Sequence, residues 1–432
     1  MILDIHKYMG NDVLLQDVEN ADGTIISYAV NDKADRVVVA NHDKGNHNVC
    51  IVGTTGSGKT ASFVKPLCLQ AIKRKESVII TDHHNEVYDS TSMYFRANGY
   101  IVRRIDLAHP KHSDGWSLSR AIQGNADKIS LLVRCILDNI RELDSEEVRT
   151  CMEHLLNAIF MLDALPNIHC SLIRIRDLLL DAKGEEYWDE LFEQFDVHDK
   201  LYAARKEYIV YKQSSIEDRQ AAQKLLAEKM KVLSDDVCEV LMNNETDLET
   251  PAEVPCAYFY SLPCYQDFSA INSAFVSFLY YDLANSAYTH AGGCKTPVNI
   301  VLDEFAGIGR VPNMDALVAT SYKKNIATMI SVQSVDQMIQ RYPDSYLAIL
   351  GNCPIRVCFG CVDVDTAKYF SDYMGTSPVL VGKKKTVDRP VMSIDEIVRL
   401  AMDECIILLP EDAVIIGRKF FYADHPNGKA II

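Results

Sequence analysis

Residues Gly53 to Thr60 read GTTGSGKT and directly follow the apolar run Val49 to Val52. The stretch satisfies G-x-x-x-x-G-K-[ST], the pattern of a phosphate-binding loop between a strand and a helix. Glycines let successive backbone N–H groups turn towards a triphosphate, and the following helix adds partial positive charge. A plain strand–helix connection is the alternative, and Lys-Thr at this offset argues against it. The predicted nucleotide-contacting residues are Gly53, Thr54, Thr55, Gly56, Ser57, Gly58, Lys59 and Thr60.

Two residues of this loop are expected to have chemical roles of their own. Lys59 should reach the β- and γ-phosphates, and the Thr60 hydroxyl is placed to ligate Mg²⁺. ATP and Mg²⁺ are therefore the predicted cofactors.

Composition sets the broad class of the protein. At 432 residues, 48% hydrophobic and 24% charged, the chain is expected to form two domains with ordinary cores. We find no apolar run of 18 residues and no leader, so neither a transmembrane anchor nor a signal peptide is expected. Thirteen cysteines without framework spacing indicate reduced thiols. The net charge of −16 argues against broad, non-specific binding of duplex DNA.

Strand-like and helix-like runs alternate on both sides of a helical segment. Apolar runs at 49–52, 77–81 and 100–106, separated by helical patterns, predict an α/β fold with a parallel sheet. In residues 127–249, apolar positions instead repeat at helical spacing. This segment has 27 acidic and 15 basic residues, so it carries 12 of the 16 net negative charges of the chain. We therefore expect a nucleotide-binding domain in two parts, 1–126 and 250–432, with an acidic all-α insert at 127–249. Other predicted features are strands at 24–28, 37–40, 256–263, 298–302, 327–332, 355–359, 405–409 and 414–416, and capping boxes at Asp144/Glu147 and Ser393/Glu396.

Two later strands end in polar residues that fit ATP hydrolysis. Asp303 and Glu304 follow the apolar strand 298–302, where one carboxylate can hold Mg²⁺ and the other can activate water. We assign Asp303 to the metal and Glu304 to the base. Gln333 ends the next strand and is placed to sense the γ-phosphate, although it could be an ordinary polar strand end.

Three further clusters have plainer explanations that we favour. Cys358 and Cys361 lie on a predicted strand, where positions three apart face opposite sides, so buried thiols are favoured over a metal site. His83 and His84 could bind metal, but solvated loop residues near the nucleotide are favoured. The run at 383–385 (KKK) could contact DNA, but a solvated loop is favoured.

Several blocks of the chain, in order and with intact spacing from about residue 46 to 416, resemble the TraG/TraD-like type IV coupling proteins, the ATPases of conjugative DNA transfer. The resemblance implies a RecA-like α/β part, an all-α domain that contacts cargo, and a hexameric ring beside a type IV secretion channel and its ATPases, on the cytoplasmic side of the bacterial membrane. The blocks are 53–60, the segment from Asp82 through 112–116 (HSDGW), 302–312 (LDEFAGIGRVP), 331–334 (SVQS), 349–353 (ILGNC) and 389–392 (RPVM).

Three departures from the family pattern bear on function. The usual membrane anchor is missing from this sequence, so we expect a soluble chain that is mostly monomeric in dilute solution. Residues 82–86 read DHHNE where the family has Asp-Pro-Lys-Gly-Glu. Tyr322 stands where relatives place an arginine expected to act on a neighbour's nucleotide, and Lys323 or Arg310 are possible substitutes.

Two main hypotheses follow from these patterns. The first is a motor that uses ATP to move single-stranded DNA, or a DNA–protein conjugate, towards a secretion channel. The second is a docking module with little turnover, whose acidic insert recruits the basic relaxase or accessory proteins of the relaxosome. A small-molecule kinase is a weaker third reading, because no acceptor pocket is evident.

Overall fold

The structure is a computed structural model that describes residues 13–29, 35–40, 45–143, 145–163, 172–181, 184–194, 202–262, 267–290, 292–381, 385–410 and 413–431. The sequence predictions for Asp144 and for the lysines at 383 and 384 lie outside these residues.

The described strands form one sheet of twelve and a separate hairpin of two. The order across the large sheet is β1-β3-β2-β14-β13-β10-β4-β9-β8-β5-β7-β6, and β11 pairs with β12 in the hairpin. In chain order the strands are β1 (Val13–Gln16), β2 (Ile25–Ala29), β3 (Val37–Ala40), β4 (Val49–Val52), β5 (Ser77–His83), β6 (Ile101–Asp106), β7 (Cys256–Leu262), β8 (Val298–Leu302), β9 (Ile326–Val332), β10 (Ile355–Cys358), β11 (Thr376–Val381), β12 (Lys385–Pro390), β13 (Glu404–Leu408) and β14 (Val414–Arg418).

Seven neighbouring strands, from β10 to β6, run parallel. Every residue of β4, β8 and β9 is buried, which explains why they read as continuous apolar runs. The predicted α/β fold with a parallel sheet is therefore confirmed. Antiparallel strands extend the sheet beyond β10, and the amino-terminal strands join it through the β14–β2 pair.

Seventeen helices lie among the described residues. They are α1 (Lys65–Arg74), α2 (Glu86–Ala97), α3 (Leu118–Ile122), α4 (Ala126–Leu137), α5 (Glu146–Asp163), α6 (Leu172–Leu180), α7 (Gly184–Glu193), α8 (Tyr202–Gln213), α9 (Ile216–Met230), α10 (Asp235–Val240), α11 (Ser269–Tyr288), α12 (Phe305–Ile308), α13 (Met314–Ser321), α14 (Val335–Arg341), α15 (Tyr346–Gly351), α16 (Val364–Met374) and α17 (Ile394–Val398). The capping box at Ser393 and Glu396 is confirmed.

Helices α4 to α10 form the insert between β6 and β7, and the described part of this segment contains no strand. The side chains of Asn125, Ser215 and Ser234 accept hydrogen bonds at the starts of α4, α9 and α10, which fixes where these helices begin. The expected all-α insert is thus confirmed as a helical segment. Its limits at residues 127 and 249 stay a prediction.

The insert is fixed to the sheet through α4 and α11. Lys128 Nζ on α4 lies 2.5 Å from Asp282 Oδ1 on α11, and both side chains are largely buried. One apolar core continues from the insert helices to this face of the sheet, while α1 and α2 pack against the other face. The carboxyl ends of the parallel strands therefore form one edge that stays open between two packed layers, which is where α/β folds bind ligands.

Candidate nucleotide-binding site

The phosphate-binding loop connects β4 to a π-type turn, Thr60–Val64, that leads into α1. Gly56 and Gly58 have φ values of +77° and +89°, which disfavour any residue with a Cβ. A Cβ on Gly53 would lie 2.5 Å from Ser57 Oγ and 3.0 Å from Phe359 Cβ, so the loop is closely packed at this glycine. The sequence GTTGSGKT thus folds into a tight turn at the carboxyl edge of the sheet.

Lys59 points back into this loop. Its side chain is only 7% exposed, and Nζ donates to the carbonyl oxygens of Gly53 at 2.6 Å and Thr54 at 3.3 Å. Nζ also lies 3.9 Å from Glu304 Oε1. The ammonium group is therefore held at the mouth of the loop, where a phosphate can replace the carbonyls as its partner.

Asp303 and Glu304 extend from the end of β8 on the same edge. Asp303 is buried, and its Oδ1 accepts from the Glu304 backbone N–H at 3.1 Å. Burial, followed by the charge of Glu304, raises the pKa of Asp303, while Ser331 and Lys59 oppose the shift. Glu304 adopts φ +48°, a left-handed conformation that costs a non-glycine residue about 1–2 kcal/mol. This turn ends β8 and places Glu304 on the wall of the cleft.

Gln333 contacts Glu304 from the neighbouring strand. Gln333 Nε2 donates to Glu304 Oε2 at 2.9 Å, and its backbone N–H donates to Gln337 Oε1 at 3.1 Å. The three side chains predicted to be catalytic therefore meet, although β4, β8 and β9 lie far apart in the sequence. Their individual roles stay predictions.

The space between these side chains is a cleft of about 420 Å³. Thr60 and Asp303 both line it and offer a hydroxyl and a carboxylate, oxygen ligands of the kind Mg²⁺ prefers. The residues present therefore fit a bound nucleotide with Mg²⁺. Its described lining is Thr55, Gly56, Gly58, Lys59, Thr60, Ala61, Asp82, His83, His84, Glu86, Val87, Asp303, Glu304 and Gln333.

Asp82 is a buried carboxylate in this cleft whose role was not predicted from the sequence. Its oxygens accept from the backbone N–H groups of Val87 at 3.1 Å and Tyr88 at 2.7 Å, which anchors the start of α2. Burial raises the pKa of Asp82 to about 7, with smaller contributions from Asp303 and Glu86. Asp82 is thus a positioning group for the wall of the cleft.

The two histidines after Asp82 lie near the nucleotide site. Their rings pack 4.1 Å apart, and His84 has φ +61°. Burial, followed by the charge of His84, lowers the pKa of His83, while the charges of Glu304 and Asp303 oppose the shift. Among the described residues, no group of three or more His, Cys, Asp or Glu is arranged to hold a metal ion.

Lys419 is a second residue that sequence reasoning missed. Its Nζ donates to the carbonyl oxygens of Ser57 at 3.0 Å, Phe359 at 2.8 Å and Met402 at 2.8 Å. One side chain thus fastens the phosphate-binding loop to the segments after β10 and before β13. A single lysine after a strand gives no sequence signal of such a contact, because its partners are distant along the chain.

The expected geometry of Cys358 and Cys361 is wrong. Strand β10 ends at Cys358, and Gly360 turns the backbone with φ +107°, so Cys361 lies outside the strand and the alternation of strand faces does not apply to it. Both are buried free thiols, as expected.

Tyr322 and Lys323 lie in a short turn that precedes β9. Gln333 follows the other end of this seven-residue strand, so the turn is roughly 20 Å from the cleft of its own chain. Lys323 is exposed. Neither residue therefore lies at the nucleotide site of its own chain.

Two family models match the chain. The model described as "Type IV secretory system Conjugative DNA transfer" matches residues 9–168, and "TraM recognition site of TraD and TraG" matches residues 297–401. Among curated protein sequences, none matches closely enough to count as a relative. Among the described helices, none combines the length and apolar character needed to cross a bilayer.

Solved structures share the fold at low sequence identity. The plasmid coupling protein TrwB with a non-hydrolysable GTP analogue gives a TM-score of 0.68 at 14% identity, over 93% of this chain and 90% of that chain. TrwB with ADP and Mg²⁺ gives 0.66 at 15% identity, over 93% and 89%. VirB4 of Thermoanaerobacter pseudethanolicus gives 0.57 at 14% identity, over 96% and 100%. The predicted RecA-like fold with an added helical domain is thereby confirmed.

Proposed function

Because this chain belongs to the TraG/TraD-like type IV coupling proteins, we propose that it is the coupling ATPase of a conjugative type IV secretion system. In this role it links a DNA–relaxase substrate to the transfer channel and uses ATP hydrolysis to drive DNA translocation. The observation that carries the proposal is the contact between Lys59, Glu304 and Gln333. A phosphate-binding cation, a carboxylate base and a γ-phosphate sensor have to meet in an ATPase, and here the three residues come from the segments that follow three different strands.

ATP binds with its phosphates on the backbone N–H groups of the loop. Lys59 then exchanges the carbonyls of Gly53 and Thr54 for phosphate oxygens. Thr60 and Asp303 would hold Mg²⁺, which supplies charge neutralisation of the phosphates when bound. TrwB is known with ADP and Mg²⁺, and the residues of this cleft offer the ligands for the same pair.

Glu304 accepts the proton of the attacking water. The amide of Gln333 holds one of its oxygens, so the carboxylate keeps a fixed orientation while the other oxygen faces Lys59. When ATP draws Lys59 onto the phosphates, the partners of Glu304 change as well. Gln333 can report this change to α14, which begins two residues later.

A Glu304→Gln substitution tests the proposal. The amide keeps the shape of the side chain but does not accept the proton, so we expect hydrolysis to fall by about 10²-fold or more while ATP binding is retained. Lys59→Ala is the matched control, because it should weaken ATP binding itself. If Glu304→Gln hydrolyses ATP at the wild-type rate, the base lies elsewhere and the proposal fails.

The docking module is the second candidate, and Tyr322 is the observation that favours it. Without an arginine from the neighbour, turnover in a ring can fall by about 10³-fold or more. The protein would then bind ATP and recruit partners but hydrolyse slowly. We further propose that the active form is a homo-hexamer and that the chain is a monomer in dilute solution. ATP turnover per chain that rises with protein concentration would therefore support the motor over the docking module.

The helical insert is the proposed docking surface for a basic relaxase or accessory protein, because it holds most of the net negative charge. The family model named for TraM recognition matches 297–401 instead, which suggests a second contact region. Two sets of substitutions in the full chain distinguish these regions. Each set removes three exposed carboxylates from one of the two regions. The insert set is Glu186→Gln, Glu190→Gln and Glu193→Gln on α7, and the other is Asp344→Asn, Asp365→Asn and Asp395→Asn.

We expect the insert set to weaken salt-sensitive capture of the basic partner. An exposed surface charge acts over roughly 8 Å at physiological salt, so the effect should vanish at high salt. If only the second set weakens capture, the partner binds within 297–401 and the insert is a solvated helical layer.

A further inference from the structure

A second cleft, of about 470 Å³, opens between the insert and the sheet on the side of α12 and α14. Three arginines line it although the chain has a net charge of −16. Arg141 follows α4, Arg310 follows α12, and Arg341 ends α14. The remaining lining residues are Asp138, Ala306, Gln337 and Gln340.

Two of the three arginines of this cleft are not paired with a carboxylate of the described residues. Within the described part of the chain, the side chains of Arg141 and Arg310 have no hydrogen-bond or ion-pair partner. The single carboxylate of the lining, Asp138, is bound at Oδ1 by Arg149 Nη2 at 2.6 Å. Within the described residues, the cleft therefore presents two guanidinium groups, those of Arg141 and Arg310, without a paired anion.

Arg310 is nevertheless held in place through its backbone. Its N–H donates to Asn139 Oδ1 at 2.7 Å, and its carbonyl oxygen accepts from Asn139 Nδ2 at 3.0 Å and from Ser273 Oγ at 2.7 Å. Arg341 Nη2 donates to the Ala306 carbonyl at 2.9 Å. Burial, followed by the charge of Arg141, lowers the pKa of Arg341, which shows that the two guanidinium groups repel each other. Arg310 and Arg341 are thus both held in place by hydrogen bonds.

The cleft shares its structural elements with the nucleotide site. α12 begins directly after Glu304, and α14 begins two residues after Gln333. Gln337 Oε1 accepts from the Gln333 N–H, and Arg341 lies one helical turn further, about 6 Å along α14. The bond from Arg341 to Ala306 joins the two helices. Glu304 and Gln333 are therefore directly connected to the two helices that line the cleft.

We propose that Arg141, Arg310 and Arg341 form a phosphate-binding site that holds the phosphodiester backbone of single-stranded DNA. Guanidinium groups bind phosphate oxygens bidentately, and such contacts are sequence-independent, as a translocated strand requires. The proposal rests on the ATPase function proposed above. It adds the place where DNA is held and the two helices that link that place to the nucleotide.

The test uses the full chain and a fluorescein-labelled oligothymidylate in anisotropy titrations across salt concentrations. Arg141→Gln and Arg310→Gln should each weaken binding about fivefold to tenfold, and each should reduce the slope of log affinity against log salt by about 0.7. Arg96→Gln is the control, since it removes the same charge from an exposed position on α2, which packs on the other face of the sheet. Thermal unfolding confirms that the variants fold.

Unchanged affinity and salt slope in the double variant, when the wild-type chain binds the oligonucleotide, would overturn the site while leaving the ATPase proposal intact. Calorimetry with inorganic phosphate tests whether the arginines bind a small free phosphate instead of the DNA backbone. If the variants lose phosphate binding but keep the oligonucleotide affinity, the cleft takes a small free anion and the DNA assignment is wrong. A wild-type chain that neither binds the oligonucleotide nor hydrolyses ATP refutes the proposed function itself.

Discussion

Lys419→Met tests whether the phosphate-binding loop depends on the carboxy-terminal part of the sheet. The substitution keeps an apolar side chain of similar length and removes the ammonium that donates to Ser57, Phe359 and Met402. A hydrogen bond from a charged donor contributes about 1.5–3 kcal/mol, and the bond to Met402 is exposed and counts for little. Since water partly reaches the other two carbonyls, we expect the free energy of unfolding to fall by about 2–4 kcal/mol.

Nucleotide affinity should change as well, because the loop loses a fixed point at Ser57. When ATP binds, the loop residue that the substitution has released must become ordered again. This ordering costs about 1–2 kcal/mol, which corresponds to roughly a tenfold higher Kd for ATP. Urea unfolding and titration with a fluorescent ATP analogue measure the two effects. Lys429→Met is the control, since it makes the same change at an exposed position nearby. A Lys419→Met protein with wild-type stability and ATP affinity would refute the proposed anchor.

Two further predictions concern the cleft and the subunit contact. Because burial raises the pKa of Asp82 to about 7, the folded protein holds a proton that the unfolded chain releases near pH 4. The free energy of unfolding should therefore fall by about 2–4 kcal/mol as the pH rises from about 4 to about 7. Urea titrations of Asp82→Asn should show that most of this pH dependence is lost. If the pH dependence persists in the variant, another group causes it. Tyr322→Arg should raise ATP turnover only at protein concentrations that allow assembly, and an equal gain at high dilution would place the arginine's action within one chain.

The sequence predicted those parts of the structure that depend on local pattern. The buried strands β4, β8 and β9 read as apolar runs, and the polar residues that follow them mark the site. Parallel strands end at one edge of a sheet, so the meeting of Lys59, Glu304 and Gln333 follows from strand order. That is why the fold and the main cleft could be expected without a structure.

Other contacts depend on residues that are far apart in the chain and leave no local signal. Lys419 reaches Ser57 across 362 positions, and Arg310 is held by Asn139 across 171. Cys361 lies outside the strand on which it was predicted because β10 ends at Cys358 and the backbone turns at Gly360. The ends of a strand are the feature that a sequence pattern predicts least well. The clustering of three arginines in an acidic chain was likewise visible only after folding.

The measurement that most directly tests the proposed motor is the ATP hydrolysis rate of the wild-type chain, with and without single-stranded DNA, over a range of protein concentrations. Glu304→Gln serves as the background, since it should bind ATP without turning it over. We predict a rate per chain that rises with concentration and rises further with DNA. A rate that stays at the Glu304→Gln background under every condition, despite ATP binding, would contradict the motor and leave the docking module.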